Sequence, residues 1–250
     1  MLKLGMNKTH KYNKFHKKTT LQNKIIKENN FTYKILIDLI SKYLKYSQDI
    51  LDIGCGSGTL DFYLANKGNK IYGIDISEKA ISICQESAKI LKLKKNTIFK
   101  VMNFPKQIPA RKFDFVIFTE VLEHLKEEKL ALEKIYSLLK SNGILFISVP
   151  SKNSPLYRLG LAYKFDNKVG HLRRYSTQEI INMLKRYNFK IIEVNKTEGI
   201  LRNFLFINPI ACKINRFIKF FIADIVTFID NILIRLFGES DIIIVAKRIE

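Results

Sequence analysis

Ile50-Leu-Asp-Ile-Gly-Cys-Gly-Ser-Gly58 is an apolar strand that runs into a glycine-rich turn, and it is the strongest indication of fold in this chain. The residues that follow have the spacing of a helix. Glycine lets the backbone approach a ligand closely, and a helix N-terminus presents unpaired amide donors. The stretch is therefore typical of a nucleotide-type binding site, with a capped structural turn as the alternative.

Short apolar runs alternate with helical patterns on both sides of this turn. We expect strands at Asp49–Ile53, Lys70–Ile74, Thr97–Val101, Phe113–Phe118, Gly143–Val149, Phe189–Val194 and Asp241–Lys247. We expect helices near 58–67, 78–92 and 126–140, and another that begins at the capping-box sequence Ser176-Thr-Gln-Glu179. Strand–helix alternation at this spacing predicts an α/β fold with a parallel sheet covered on both faces.

Two carboxylates indicate the kind of ligand. Asp52 lies two residues before the first glycine, where it would repel a pyrophosphate but attract an ammonium group. Asp75 ends the second predicted strand, where an acidic residue is expected to hold a ribose diol. S-adenosylmethionine has a ribose and an ammonium group but no phosphate, so it matches both carboxylates.

Four motifs resemble those of class I S-adenosylmethionine-dependent methyltransferases, and among them the ubiquinone-biosynthesis O-methyltransferases. They are ILDIGCGSG at 50–58, YGID at 72–75, FDFVIFTEVLEHL at 113–125 and LKSNGILFISVP at 139–150. The resemblance covers about residues 45–195. It implies a Rossmann-like fold with a seven-stranded, mostly parallel sheet whose last strand is antiparallel. We predict a basic N-terminal helical lid over 1–45 and a methyltransferase domain over 46–250, with an apolar helical insertion at about 198–240.

The same resemblance assigns the residues around the cofactor. Asp52 and the glycines surround the methionine end, Asp75 holds the ribose, and the remaining residues lie near the adenine or face the cofactor. The full set is Asp52, Gly54, Gly56, Gly58, Asp75, Ile76, Asn103, Phe104 and Glu120. Asn103 departs from the acidic residue often found at its position, although its amide can still pair with adenine.

Glu120, Glu123 and His124 follow the fourth predicted strand, and they are candidates for a metal site. Positions i, i+3 and i+4 of a helical turn share one face, so we expect the three side chains to converge. Two carboxylates and an imidazole can hold a divalent ion such as Mg²⁺. The pattern resembles the metal site of ubiquinone-biosynthesis and small-RNA 2′-O-methyltransferases. In metal-free relatives, Glu120 faces the cofactor and His124 only packs or caps.

The segment Gly170-His-Leu-Arg-Arg-Tyr-Ser176 lies in a region that usually covers the substrate. Glu120, His124 and His171 are the predicted catalytic residues, and His171 is a candidate base, metal ligand or substrate contact. Arg173, Arg174 and Tyr175 are the predicted substrate contacts, because a guanidinium can hold an anionic group through two hydrogen bonds. The alternative is a loop histidine with solvated arginines.

Positive charge is concentrated in two segments of a chain whose formal net charge is +20. Residues 1–48 hold eleven lysines against two acidic residues, and 151–202 hold eleven basic residues against four. These segments are expected to flank the site, where Tyr12, Lys14 and His16 would belong to the lid. The pattern favours a small or lipid-linked acceptor with an anionic group, while plain lysine-rich composition explains part of it. Nucleic acid is disfavoured because no RNA-binding module is recognisable.

Residues 209–237 combine a broad apolar face with polar residues at helical spacing. Such a helix can lie in a membrane interface, pack on the sheet, roof a substrate pocket or form a homodimer contact. No uncharged apolar run reaches about 18 residues, so we expect no spanning helix. The N-terminus lacks the apolar core of a signal peptide. We therefore expect a cytoplasmic protein, with peripheral attachment to the inner face of the membrane as one alternative.

Our leading hypothesis is O-methylation of a quinone, glycan or glycolipid acceptor by in-line transfer from S-adenosylmethionine. One alternative is an RNA 2′-O-methyltransferase. The other is a catalytically silent binding protein with a methyltransferase fold.

Overall fold

Seven β-strands form one sheet in the computed structural model, which describes residues 12, 13, 16, 19–208 and 221–249. The strands are β1 (Asp49–Ile53), β2 (Lys70–Asp75), β3 (Thr97–Val101), β4 (Phe113–Thr119), β5 (Leu139–Pro150), β6 (Phe189–Thr197) and β7 (Asp241–Arg248). Their order is β3-β2-β1-β4-β5-β7-β6. Neighbours among the first five strands pair in parallel, whereas β7 runs antiparallel to both β5 and β6. The predicted seven-stranded sheet with an antiparallel last strand is confirmed.

The order of the strands reverses at the centre of the sheet. The chain moves outward from β1 through β2 to β3, and then returns to the other side of β1 as β4. In open α/β sheets, ligands bind at the carboxyl ends of the strands beside such a reversal. The glycine-rich turn after β1, Asp75 at the end of β2 and Glu120 after β4 therefore lie along one edge of the sheet.

Helices cover both faces of the sheet. They are α1 (Lys34–Ser41), α2 (Thr59–Asn66), α3 (Glu78–Ile90), α4 (Glu128–Leu138), α5 (Pro155–Arg158), α6 (Tyr163–Val169), α7 (Thr177–Arg186), α8 (Ile200–Ile207) and α9 (Phe221–Phe237). Helices α2, α3, α4 and α7 are the four that the sequence pattern predicts. Ser77 Oγ caps α3 by accepting the N–H of Ala80 at 3.2 Å, and Ser176 forms the predicted capping box with Glu179.

Helix α1 belongs to the core of the domain. Ile37 and Ile40 are buried in the same apolar cluster as Ile50 of β1 and Phe115 of β4. The structure therefore differs from the predicted lid over 1–45, because the apolar spacing of residues 34–41 gives this helix a face that packs on the sheet.

Helices α8 and α9 form the predicted insertion between β6 and β7, of which residues 209–220 lie outside the described part. The buried Asp230 of α9 accepts the backbone N–H groups of Gly199, Leu201 and Arg202 at 2.7, 3.0 and 3.1 Å. These donors at the start of α8 have no partner within the helix, so Asp230 satisfies them and joins the two helices. Among the described residues, no helix is both long enough and apolar enough to cross a bilayer.

Candidate active site

A cavity of about 630 Å³ opens at the carboxyl ends of β1, β2 and β4. Eight of the nine predicted cofactor-binding residues line it, which are Asp52, Gly54, Gly56, Asp75, Ile76, Asn103, Phe104 and Glu120. The exception is Gly58, which begins α2 with φ +74° and packs beside Cys84 and Phe62. Gly58 is therefore placed as a turn residue under the cavity, and its predicted contact with the cofactor is not supported.

The turn after β1 requires glycine at Gly54. Its φ is +81°, and a Cβ atom there would lie 2.4 Å from a methyl group of Val121. Gly56 also has a positive φ, and its N–H donates to Asp75 Oδ2 at 3.0 Å. The backbone of this turn is therefore in direct contact with the segment that follows β4, and both segments line the cavity.

The carboxylate of Asp75 is fixed by two backbone donors, Gly56 N–H at 3.0 Å and Ser77 N–H at 2.8 Å. A carboxylate offers about four lone-pair positions, so these backbone donors leave acceptor capacity for a ligand. This arrangement suits a pair of vicinal hydroxyls.

Asp52 lies almost fully buried beneath the turn and forms a carboxyl pair with Asp61 of α2. Burial raises the pKa of Asp52 to about 7, and it raises the pKa of Asp61 well above its usual range. Neither oxygen of Asp61 has a donor from any other described group. Two carboxyl groups can share a hydrogen bond only if one of them is protonated, so Asp61 is the acid and Asp52 the acceptor.

Sequence reasoning missed Asp61. The available signal was a single acidic residue within the apolar run of α2, where the neighbours Leu60 and Phe62 are both buried.

The segment after β4 departs from the predicted helical turn. Glu120 has φ +55°, in the left-handed region, and only Leu122–His124 forms a short 3-10 turn. The side chain of Glu120 accepts a hydrogen bond from Ser148 Oγ at 2.8 Å. The left-handed residue breaks the predicted helical register, and Glu120 is not part of the tight cluster of ligand atoms that includes Glu123 and His124.

His171, rather than Glu120, clusters with Glu123 and His124. Candidate ligand atoms of Glu123, His124 and His171 all lie within 4.8 Å of one another. The Nε2 atoms of the two histidines are 3.6 and 3.7 Å from Glu123 Oε1. Glu123 is fully buried, and neither of its oxygens has a hydrogen-bond donor within the described residues. Burial, followed by the charge of Glu120, raises the pKa of Glu123 well above its usual range.

The partners of the two imidazoles determine which nitrogen carries the proton. His124 Nδ1 lies 3.0 Å from the carbonyl oxygen of Gly170, and His171 Nδ1 lies 3.0 Å from Asp166 Oδ1. A carbonyl and a carboxylate only accept, so each Nδ1 carries the proton and each Nε2 directs a lone pair towards Glu123. Histidine ligands in metal sites are held in this way. The three residues therefore fit a divalent cation bound by two nitrogens and one carboxylate.

Arg173, Arg174 and Tyr175 lie outside the main cavity and line a separate cleft of about 340 Å³. The buried guanidinium of Arg174 donates to both oxygens of Asp166, at 2.7 and 2.8 Å. Arg173 pairs with Glu128, which also accepts the hydroxyl of Tyr175 at 2.9 Å. The polar groups of these three residues are thus engaged by carboxylates, and their role as substrate contacts stays a prediction that the main cavity does not support.

Part of the N-terminal segment reaches the cavity. Tyr12, His16 and Thr19 contribute to its wall, and Asn13 Oδ1 accepts the hydroxyl of Ser77 at 2.7 Å. Burial raises the pKa of Tyr12 to about 12, so this phenol keeps its proton at neutral pH. Lys14, the third residue predicted for the lid, lies outside the described residues.

Comparison with known proteins places this architecture in a family. A sequence model described as a methyltransferase domain matches residues 27–194. The ubiquinone biosynthesis O-methyltransferase of Pelagibacter ubique is 35% identical over 108 residues, which are 43% of this chain and 44% of that protein. The ribosomal protein L11 methyltransferase of Dictyoglomus turgidum is 27% identical over 176 residues, which are 68% of this chain and 48% of that protein.

A crystal structure of a SAM-dependent methyltransferase from Methanosarcina mazei superposes with a TM-score of 0.60 at 20% identity. The superposition covers 84% of this chain and 97% of that one, and it shows a likeness of fold. The matches to the two curated relatives, in contrast, span just under half of the length of each relative.

Proposed function

This chain belongs to the methyltransferase domain family, and on that premise we propose that it transfers a methyl group from S-adenosylmethionine to a hydroxyl of a small or lipid-linked acceptor. The observation that carries the proposal is a pair of carboxylates at the wall of the cavity, the buried Asp52 and the partly buried Asp75. They disfavour a phosphate-bearing nucleotide and favour a cationic ligand with a ribose.

The remaining cofactor contacts follow from this placement. Asp52 would hold the ammonium of the methionine end, and Asp75 would accept the two ribose hydroxyls. The walls of the cavity at Ile76 and Phe104 are apolar and suit the adenine ring, with Asn103 at its edge. Methyl transfer from a sulfonium is a displacement in line with the leaving sulfur, so the protein mainly has to align an acceptor behind the methyl group.

The other end of the cavity supports an acceptor with an apolar body. Leu125, Phe165 and Val169 line it beside His124 and His171. A hydroxyl acceptor must lose its proton during the transfer, and an imidazole nearby is suited to remove it. A quinone ring or a lipid-linked group matches both the apolar wall and the histidines.

We also propose that Glu123, His124 and His171 hold a divalent cation. The support is the buried carboxylate without a hydrogen-bond donor and the two Nε2 lone pairs that face it. Two imidazole nitrogens and one carboxylate match Mn²⁺, Fe²⁺ or Zn²⁺ better than Mg²⁺, which prefers oxygen ligands. Such an ion would lower the pKa of an acceptor hydroxyl bound to it.

The cofactor assignment is tested by titration calorimetry with S-adenosylmethionine. The Asp75→Ala variant should bind about tenfold more weakly or worse, because it loses hydrogen bonds from a charged acceptor to the ribose. Asp75→Asn, which keeps an acceptor oxygen, should bind with intermediate affinity.

Glu86→Ala is the matched control, because Glu86 is an exposed carboxylate that pairs with Lys89 of the same helix, α3. This variant should bind like the unmodified protein. The absence of binding by the unmodified protein would exclude the proposed function, and equal Kd values for all four forms would exclude Asp75 as the ribose contact.

A further inference from the structure

Helix α9 presents an apolar stripe to solvent. Ile225, Phe228, Ile229, Ile232 and Leu236 recur every three or four residues, and Phe228 and Leu236 are 67% and 70% exposed. The opposite side of the helix is fixed, because Asp230 is buried against the start of α8. The stripe therefore cannot turn inward, and in the described part of the chain nothing covers it.

The loop between α5 and α6 also carries exposed apolar side chains. Leu159 and Leu161 are 68% and 63% exposed there. The guanidinium of Arg158 donates to the carbonyl oxygen of Phe237, which joins this loop to the end of α9. We call the α9 stripe together with Leu159 and Leu161 the apolar surface.

The apolar surface leads towards the active site. Helix α6 follows the loop directly, and its residues Phe165 and Val169 line the main cavity. One continuous segment of chain thus connects exposed apolar side chains with the wall of the acceptor end.

Basic residues lie on the same elements as the apolar surface, at the end of α5, on α6 and on α9. Arg158, Lys164, Lys168 and Arg235 are exposed, and among the described residues none of them pairs with a carboxylate. Asp166, the acidic residue of α6, is buried and engaged by Arg174. The rim therefore carries net positive charge beside an apolar face.

We propose that the apolar surface docks on a bilayer that contains anionic lipids. Apolar side chains flanked by cations bind at the headgroup region of a bilayer. The apolar side chains become buried there, and the cations are attracted to the acidic headgroups. A protein partner or a second copy would bury the apolar face equally well, but neither requires cations without carboxylate partners at its rim. Docking does not depend on the proposed methyl transfer. The further idea that a lipid-linked acceptor enters from the α6 side does rest on the proposed methyl transfer.

Flotation with vesicles tests the docking. The full chain should float with vesicles of phosphatidylcholine mixed with phosphatidylglycerol, and much less with phosphatidylcholine alone. Phe228→Ser combined with Leu236→Ser should lower binding about tenfold or more, because two apolar side chains no longer leave water. Lys164→Gln combined with Lys168→Gln should abolish the preference for the anionic vesicles.

Ile90→Ser is the control, because Ile90 is an exposed apolar residue of α3 away from this surface, and it should leave flotation unchanged. Binding of S-adenosylmethionine by each variant, measured by calorimetry, shows that the fold is intact and keeps a docking failure distinct from a failure of the proposed function.

Two outcomes would overturn the proposal. If the unmodified protein floats with neither kind of vesicle, the apolar surface does not dock on a bilayer. If the Phe228/Leu236 variant floats equally but loses a dimer seen by light scattering, the surface binds a second copy of the chain.

Discussion

A hydrogen bond from Asp61 helps the buried Asp52 to stay ionised, as binding of a cationic ligand requires. Asp52 is nearly enclosed and faces the charge of Asp75, and both effects favour its neutral form. The hydrogen bond from Asp61 opposes them, because it stabilises the carboxylate form of Asp52. Asp61 acts through Asp52 and is therefore a positioning residue.

The affinity for S-adenosylmethionine should fall as the pH falls through about 7, the value to which burial raises the pKa of Asp52. The sign follows because the ionised carboxylate, present above this pKa, attracts the ammonium group. Replacing Asp61 by Leu removes the donor and raises the pKa of Asp52 further, so binding at pH 7 should weaken about tenfold. Asp61→Asn supplies an amide donor and should bind nearly normally.

Calorimetry across this pH range measures both the affinity and its midpoint. In the Asp52→Asn variant, which has no titrating carboxyl there, the dependence on pH should flatten. If Asp61→Leu binds with the same affinity and midpoint as the unmodified protein, the shared proton has no part in binding.

At the scale of elements, the end of one short helix orients both histidines. Asp166 of α6 accepts from His171, and the carbonyl of Gly170, the next residue after the helix, accepts from His124. Although burial alone would raise the pKa of Asp166, hydrogen bonds from His171 and Arg174 lower it to about 2. Asp166 therefore stays ionised at neutral pH and holds its histidine in one tautomer. Arg174, a predicted substrate contact, also holds this carboxylate in place.

Binding of Mn²⁺, followed by the resonance signal of the free ion, tests the site without any turnover. Glu123→Gln should abolish tight binding, because the only carboxylate among the three ligands is lost. Asp166→Asn should weaken binding about tenfold, because the group that orients His171 loses its charge.

Glu127→Gln, at an exposed carboxylate beside the site, should bind Mn²⁺ normally. Failure of the unmodified protein to bind Mn²⁺ would remove the cation from the proposed function. Normal binding by Asp166→Asn would instead limit Asp166 to a role in packing.

Over the whole molecule, the charge of +20 is unevenly placed. The site itself is acidic, with Asp52, Asp75, Glu120 and Glu123 at or beside the cavity. The basic excess lies in the N-terminal segment and in residues 151–202, which include the exposed cations of α6. The distribution favours an acceptor whose anionic part stays at the rim while its apolar part enters the cavity.

Incubation with S-adenosylmethionine labelled in its methyl group and with fractionated lysate should therefore place the label in the lipid extract. The Asp75→Ala variant, with its weaker cofactor binding, should transfer much less label under the same conditions. Label in RNA would support the alternative 2′-O-methyltransferase hypothesis, and label in protein would contradict both.

The order of the elements and the cofactor edge of the sheet follow from local sequence. Strand and helix periods, the capping box at Ser176 and the glycines at 54 and 56 depend on neighbours in the chain, so their pattern is visible in the sequence. The same holds for Asp52 and Asp75, because their positions at strand ends fix where they lie in a parallel sheet.

Contacts between distant segments were decided only by tertiary structure. The third member of the candidate metal site is His171, which lies 51 positions after Glu120 in the chain. Glu120 has a left-handed conformation and is not part of the cluster. Arg174, which the sequence suggests as a substrate contact, is engaged by Asp166, and the pairing of Asp52 with Asp61 depends on how α2 packs under β1. Local pattern specifies which face of an element is apolar. The partner of a buried charge depends on which charges the fold encloses together, and no local pattern encodes that.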